Sequence, residues 1–496
     1  MKNLPGLLLV SLVLVFAFWL LTIKIDKPFW GHHDWIGIQY SNVARNYNRY
    51  GFLTTKFGQV LNVDYQKPEN FGYITHYPPG LPIMISLSFR LLGESESSAR
   101  LTIVFFSLLL LFLIYKIGRE LHSPLMGLYA SLALVITPIF AYFGKLPVHD
   151  VVVPSVSMAG FWAYLRYFKT KDSKYYLLLI AAIIFGGLIN WSAYYLVVAL
   201  LFLQIIYKTP NFFKKKILLL IPISLITFAI QLVHVRLLQR GLTGDVFSNV
   251  LSRINPYLTS DLYGFTLIKY LKQEILLAKV YYTPPVFIAA VGFLFYLACR
   301  FIFRKQKFNF AEASILSLLV YGLLQLVVFS QLSFIHDFMI YYLSPFMVLA
   351  FSYITFKILA RFQKSLVFPV VLIAILNFAF LSQLKFTKAL IATDTNKRGF
   401  LAGRLINKES PSSAVSFITS NSYKEFQEVF IGYYADRNIA YGESLPRNFD
   451  SLYFLVIRPK DHDPLDQKAK QILDDKYLRY EDENFIWYKL KLKKSI

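Results

Sequence analysis

Residues 98–118 read SARLTIVFFSLLLLFLIYKIG, with a cation near each end (Arg100 and Lys116) and no charge between them. A helix needs about 20 mostly apolar residues to cross the hydrocarbon of a bilayer. This stretch meets that length. By the same criterion there are about eleven such stretches. They are 4–25, 98–118, 124–143, 148–167, 175–190, 193–207, 217–236, 284–303, 309–329, 336–358 and 365–386. The chain is therefore read as a polytopic α-helical membrane protein. Its composition agrees: the 496 residues are 56% hydrophobic and only 16% charged, where soluble domains carry about 25% charge. That apolar bulk excludes disorder, and the single cysteine, Cys299, excludes a disulfide scaffold. A net charge of +23 suggests a nucleic-acid binder, but the long apolar runs argue against one.

Position along the chain sorts the charges. Short loops rich in Lys and Arg stay in the cytoplasm. Five short connections are basic: Lys116 and Arg119; Arg166, Lys169, Lys171 and Lys174; Lys208 and Lys214 to Lys216; Arg300, Arg304, Lys305 and Lys307; Lys357, Arg361 and Lys364. Placing all five inside puts the N-terminus in the cytoplasm and the C-terminus outside, in a multi-pass protein of the cell membrane. The first apolar stretch is too long for a signal peptide and lacks a small-residue cleavage site, so it reads as a retained anchor. Segment 79–93, PGLPIMISLSFRLLG, is too short to cross and carries Arg90, so it is expected to lie in the outer interface. The fifth and sixth stretches share Gly186, Gly187, Asn190 and Trp191 between them and read as a tight helical hairpin. Residues 1–386 then form the membrane part, with a first outer loop at 26–97. Residues 387–496 hold 18 Lys+Arg and 15 Asp+Glu. They alternate strand-like runs (AVSFITS, RNIAYG, SLYFLVIRP, NFIWYKLKL) with helix-like ones, which predicts a small extracytoplasmic α/β domain.

Four outer stretches carry candidate chemistry. In the first, His32-His33-Asp34-Trp35 precedes an amphipathic helix over about 35–50. Asp is a favoured N-cap, so Asp34 caps that helix, serves as a catalytic carboxylate, or does both. In the second, His76-Tyr77-Pro78-Pro79 is a stiff start to the interfacial helix, with His76 and Tyr77 at the membrane rim. In the third, Lys145-Leu146-Pro147-Val148-His149-Asp150 puts Asp150 at the outer start of a span, where an acid caps, pairs or works. In the fourth, His336-Asp337 opens the tenth span. No short ligand spacing links the histidines; a divalent metal would draw on His76 and His336.

With these residues in view, the chain resembles the GT-C glycosyltransferases, in the branch of protein O-mannosyltransferases and lipid A aminoarabinose transferases. The resemblance rests on HHDW with SNVARNYNRYGF, on HYPPGLPIMISLSFRLLGESESSARL, on KLPVHDVVV and on FIHDFMIYYLSPFMVLA, together covering roughly residues 1–360. It implies an inverting transferase, hexosyl or pentosyl, that uses a polyprenyl-phosphate sugar. The acceptor would be a protein hydroxyl, a lipid or a cell-envelope glycan, met on the extracytoplasmic side. Such an acceptor must lose a proton, a role that suits Asp34, with Asp150 as a second carboxylate. The departing lipid phosphate needs cations; Arg45, Lys145, Arg236 and Arg240 are available on the outer side. His33, His76, Tyr77, Trp191, His336 and Asp337 remain as substrate contacts, the aromatic ones equally well read as interfacial belt residues. Two other readings are a transporter or flippase of lipid-linked sugars and a non-catalytic protein of the same fold. A transporter more often places ionisable groups at mid-membrane, whereas these spans are nearly free of charge at their centres.

Overall fold

A computed structural model describes residues 4–63, 66–207, 211–238, 264–362, 365–412, 414–419, 428–461 and 463–493. The chain divides into two compact units: Met1–Ile25, Thr75–Met84 and Ser97–Ala389 in the first, Asp26–Ile74, Ile85–Glu96 and Leu390–Ile496 in the second.

The first unit is a helical bundle. Among the described residues, six helical segments are long and apolar enough to cross a membrane: Glu96–Leu121, Lys214–Leu238, Pro284–Ile302, Phe310–Val328, Asp337–Ile358 and Val367–Glu409, the last made of helix Val367–Ala392 and helix Lys397–Glu409, which belongs to the second unit. Glu96–Leu121 has 26 residues, roughly 39 Å at 1.5 Å per residue. Shorter apolar helices include Leu8–Thr22, Pro124–Val135, Ser173–Gly187 and Trp191–Tyr207. Within Asp337–Ile358, residues 338–356 are all buried. Pro284–Ile302 and Val367–Ala392 instead turn Ile288, Phe295, Val370 and Leu381 outward, as a helix surrounded by lipid does.

Two of the predicted spans are broken. The stretch 124–143 forms Pro124–Val135 and Pro138–Phe143, with Thr137 extended between them. Pro138 has no N–H to give and drives the preceding residue out of helical geometry. The stretch 336–358 starts as a 3₁₀ helix, Asp337–Leu343, and turns α only at Ser344–Ile358. Elsewhere small residues set the packing. A Cβ on Gly127 would stand 2.3 Å from the carbonyl oxygen of Tyr115, so Glu96–Leu121 and Pro124–Val135 cross in backbone contact there. The start of Phe310–Val328 is fixed by a capping box between Asn309 and Glu312, and the buried Glu312 also pairs with Arg300.

The second unit is built on a sheet. Strands β1 (Gln59–Val60) and β2 (Tyr73–Ile74) pair antiparallel. Strands β3 (Val415–Thr419), β4 (Asn438–Gly442), β5 (Leu455–Pro459), β6 (Tyr477–Glu481) and β7 (Phe485–Lys493) form a mixed sheet in the order β4-β3-β5-β7-β6. Strand β3 runs parallel to β4 and β5; β7 runs antiparallel to β5 and β6. Side chains alternate between its faces. Ile418, Leu455 and Ile457 pack with Ala402, Ile406 and Ile431 from helices Lys397–Glu409 and Glu428–Ala435. Phe417 and Val456 pack on the other face with Leu473 from helix Gln467–Lys476. The result is an α/β layer structure, with helix Lys397–Glu409 and strand β6 in addition to the elements expected from sequence.

The first outer loop packs within this same unit. Arg49 holds Asp436 at 2.6 Å, Tyr434 donates to Glu96 at 2.6 Å, and the Phe29 N–H donates to Tyr434 at 2.7 Å. The acidic run near 461–466 is structural: Asp463 binds Arg458 at 2.8 Å and Asp466 caps helix Gln467–Lys476.

Candidate active site

In the first unit the constellation centres on Asp150. Helix His149–Thr170 begins after the extended residue Val148, which supplies no side-chain cap. Asp150 is the second helical residue and fully buried; its carboxylate makes no well-aligned hydrogen bond, and the Tyr342 hydroxyl is the donor within interaction reach. It is therefore not acting as a cap. His149 Nε2 lies 3.1 Å from Asp150 Oδ2, a charge contact without hydrogen-bond alignment. Three tyrosines, Tyr195, Tyr321 and Tyr342, are its electrostatic neighbours. Tyr342 pairs with the Ser192 hydroxyl. A buried carboxylate without a well-aligned hydrogen bond is costly and marks a functional site more often than a structural one.

Aromatic rings form a wall beside it. The Tyr77 ring lies 4.3 Å from that of His149 and 6.4 Å from that of Trp191. Trp191 meets Phe228 edge-on at 5.4 Å, and its Nε1 donates to Gln231 at 3.3 Å. Local sequence produces this juxtaposition. The Gly80 N–H donates to the carbonyl of Leu188 at 3.0 Å. A Cβ at residue 80 would sit 2.6 Å from that same oxygen, so only glycine lets the two turns meet. Asn190 accepts from the Ser192 N–H and starts the 3₁₀ turn Trp191–Tyr194. The double proline thus delivers Tyr77 to the Gly186–Trp191 hairpin, with the His76 ring 6.5 Å from that of Tyr77.

A second acidic group lies on the same unit. Asp337 starts the 3₁₀ helix and accepts from the Tyr281 hydroxyl. His336 stacks on Phe338 at 5.2 Å. At about 2 Å rise per residue, Asp337 and Tyr342 are roughly 10 Å apart along that helix. Helix Leu267–Tyr281 packs Tyr270, Glu274, Ala278 and Tyr281 inward as one stripe. Tyr270 donates to the Leu326 carbonyl at 2.7 Å, and Gln273 donates to the Phe334 carbonyl at 2.7 Å. Both Glu274 oxygens are buried and without a hydrogen-bond partner. Burial, and secondarily the charge of Asp337, pushes its carboxyl up to about 8.

The sign of the resulting pH effect is definite. The folded chain keeps the Glu274 proton that an unfolded chain releases near 4.5. Stability contributed at this position is therefore lost as pH rises from about 4.5 to about 8 and is level above that. Glu274→Gln is expected to match the parent at pH 5 and to unfold at a higher temperature at pH 8.5. Thermal scans at the two pH values check this; an equal shift at both would show that the proton is not held in the fold.

In the second unit, Asp34 is the first residue of helix Asp34–Tyr50, with His33 at φ 59° before it. Its Oδ2 accepts from the backbone N–H of Gly31 at 2.7 Å and of Trp30 at 3.1 Å. The carboxylate therefore closes the preceding turn and does not cap the helix forward. The His32 and His33 rings lie 4.0 Å apart, tilted by 49°, and the His32 backbone N–H donates to the Thr393 hydroxyl.

The expected phosphate ligands fare differently. Arg45 is engaged by Glu94 at 2.6 Å, by the Tyr433 carbonyl at 2.9 Å and by the Tyr433 ring at 4.1 Å. Lys145 donates to the Ile23 carbonyl. Arg236, exposed in the last turn of Leu220–Leu238, has no ion pair among the described residues. Arg240 lies outside the described residues. Thus the first unit brings His76, Tyr77, Asp150 and Trp191 together, and Asp34, His33 and Arg45 belong to the second. Tyr195, Tyr321, Tyr342 and Ser192 were not singled out from sequence; only the tyrosine pair inside FIHDFMIYYLSPF hinted at one of them.

Comparison with known proteins follows this geometry. The family described as dolichyl-phosphate-mannose-protein mannosyltransferase matches residues 76–234, a stretch that contains His76, Tyr77, Asp150 and Trp191. No curated protein matches the sequence. Among solved structures, ArnT from Cupriavidus metallidurans bound to undecaprenyl phosphate is similar at a TM-score of 0.64 and 13% identity, over 99% of this chain and 98% of that one. Archaeal AglB oligosaccharyltransferase from Archaeoglobus fulgidus, with an inhibitory peptide and dolichol-phosphate, gives 0.59 at 11% identity, over 98% and 74%. Mycobacterial arabinofuranosyltransferase AftD gives 0.51 at 11% identity, over 99% and 42%. At these identities the likeness is one of fold.

Proposed function

We propose that this chain is a multi-pass membrane glycosyltransferase of the GT-C fold and that it moves a sugar from a polyprenyl-phosphate donor to an acceptor hydroxyl or amine at the extracytoplasmic rim. Asp34 takes the acceptor proton. The acceptor atom bonds to the anomeric carbon as the bond from that carbon to the phosphate oxygen breaks. The polyprenyl phosphate leaves with the electron pair, and the anomeric configuration inverts. Asp150 orients the acceptor or stabilises positive charge on the sugar ring, with His149 beside it. Tyr77 and Trp191 offer ring faces to the sugar. Arg236, Arg240 and Lys145 are the candidates for the leaving phosphate; Arg45, already shared between Glu94 and Tyr433, is the least available.

The observation that carries this reading is the fully buried carboxylate of Asp150, without a well-aligned hydrogen bond, beside His149, whose ring begins the aromatic row of His149, Tyr77 and Trp191. The extracytoplasmic placement is supported by the basic short loops, where Glu120 collects Arg166 and Lys169 at 3.2 and 2.9 Å. The test is a transfer assay on purified protein in nanodiscs with radiolabelled polyprenyl-phosphate sugars and extracts of cell-envelope acceptors. Released polyprenyl phosphate and a labelled acceptor, in equal amounts, support the proposal. Movement of labelled lipid across vesicles without transfer favours the flippase reading and overturns it.

A further inference from the structure

The second unit carries an exposed apolar patch that neither its cores nor the candidate site uses. Leu53 is 84% exposed, Leu91 83%, Leu92 60%, Leu87 47% and Phe57 44%. An isolated exposed leucine needs no explanation, but a cluster with cations at its rim does. These five belong together. Arg90 stacks over the Phe52 ring at 4.7 Å, and Phe52 stacks on Phe57 at 5.7 Å. Arg90 Nε and the Ser86 hydroxyl both donate to Asn48, each at 2.7 Å. The turn after helix Asp34–Tyr50 is thereby locked against helix Gly80–Leu92, whose Leu87 and Leu91 share one face at i, i+4.

The turn itself is built to hold its apolar residues out. Lys56 and Phe57 both lie in the left-handed region, at φ 53° and 55°, a conformation that costs energy for residues other than glycine. It is sustained by Phe57 N–H to the Phe52 carbonyl at 2.9 Å, Gly58 N–H to the Thr55 carbonyl at 2.8 Å, and the Tyr47 hydroxyl to the Phe57 carbonyl at 3.0 Å. Thr55 is fully buried. The small polar residue thus points in while Leu53 and Phe57 point to the surroundings, the reverse of an ordinary soluble turn.

Chain connectivity supplies the occupant. Leu92 is four residues before Glu96, which starts the 26-residue apolar helix Glu96–Leu121. Four residues span at most about 14 Å, so the chain itself keeps Leu92 within that reach of the residue that opens the apolar helix. We infer that the turn 52–57 and the Leu87–Leu92 face form a two-part foot in the adjoining lipid leaflet, with acyl chains around Leu53, Phe57 and Leu91 and lipid phosphates at Lys56 and Arg90. The foot would fix the first outer loop, and with it Asp34, at a constant depth. The inference rests on exposure and connectivity and does not depend on sugar transfer.

Site-directed fluorescence tests it on the full chain. In a Cys299→Ser background, Leu53→Cys and, separately, Leu452→Cys are labelled with an environment-sensitive nitrobenzoxadiazole probe, one protein copy per nanodisc. Leu452 is 61% exposed on the sheet-bearing part of the same unit and serves as the aqueous reference. The label at 53 is expected to emit blue-shifted, to be quenched by a spin label at carbon 5 of the acyl chain, and to resist iodide at least threefold better than the label at 452. Phe57→Cys should behave like Leu53→Cys. Equal iodide quenching at 53 and 452, with no quenching from the lipid spin label, overturns the inference. Protection seen only when two copies share a disc also overturns it, because the patch would then meet a second copy.

Discussion

Asp34→Asn is expected to lower transfer by about 10²- to 10⁴-fold, the usual range for loss of a positioned base. The protein should still fold and insert in the membrane. Two of the bonds that hold Asp34 are accepted by one oxygen, Oδ2, from the N–H groups of Gly31 and Trp30. An asparagine carbonyl can accept the same two bonds, so the turn before the helix survives. What an amide cannot do is take the acceptor proton. The loss should therefore appear in the rate at saturating donor and acceptor, with little change in the concentration of donor needed. Initial rates with labelled polyprenyl-phosphate sugar, alongside thermal unfolding of the same samples, separate the two effects. A variant with full transfer removes Asp34 from the mechanism. A variant that unfolds more than a few degrees early shows that the carboxylate is mainly a structural turn closure.

Much of the membrane part was legible because lipid imposes a crude rule. Apolar runs such as 98–118 and 309–329 became helices Glu96–Leu121 and Phe310–Val328, within a few residues of the expected ends. The rule fails where backbone chemistry intervenes. Hydropathy is blind to the missing N–H of Pro138, which split 124–143. It is equally blind to 3₁₀ winding, so Asp337–Leu343 was merged with the helix that follows it. In the tail, four strands were visible through alternation, but β6 was not. Its Tyr477 is buried while Leu478 and Arg479 are exposed, so it lacks a clean period of two. Helix Lys397–Glu409 was hidden by Gly399 and Gly403, which weaken helix propensity. A Cβ at 403 would stand 2.7 Å from the Ile431 carbonyl, so that glycine is present for close packing.

The site was legible in its acids and illegible in their surroundings. An acid at a membrane boundary stands out in any sequence, and capping was an equally good account of Asp34 and Asp150. Structure separates the two: one carboxylate bonds backward to its own turn, and the other is buried beside His149 and Tyr342 without capping its helix. Tyr195, Tyr321 and Tyr342 reach Asp150 from distant parts of the chain, with Ser192 bonded to Tyr342, and no local pattern announces such an encounter.

Asp150→Asn should separate stability from function in opposite directions. A buried carboxylate without a well-aligned hydrogen bond costs the fold on the order of 1–3 kcal/mol. The 3.1 Å approach of His149 offsets part of that only when the imidazole is charged. An amide of the same shape removes the charge and can donate to the nearby tyrosine oxygens, so the variant is expected to melt several degrees higher than the parent. Transfer is nonetheless expected to fall by about two orders of magnitude, because the group that faces the developing charge on the sugar is gone. Raised stability with lost activity is the signature of a residue retained at the fold's expense. A structural ion pair predicts the reverse. Breaking it would lower the melting temperature, activity would fall only as far as folded protein is lost, and His149→Gln would reproduce both changes. Thermal unfolding and transfer rates for Asp150→Asn and His149→Gln, measured in the same nanodiscs, choose between these outcomes.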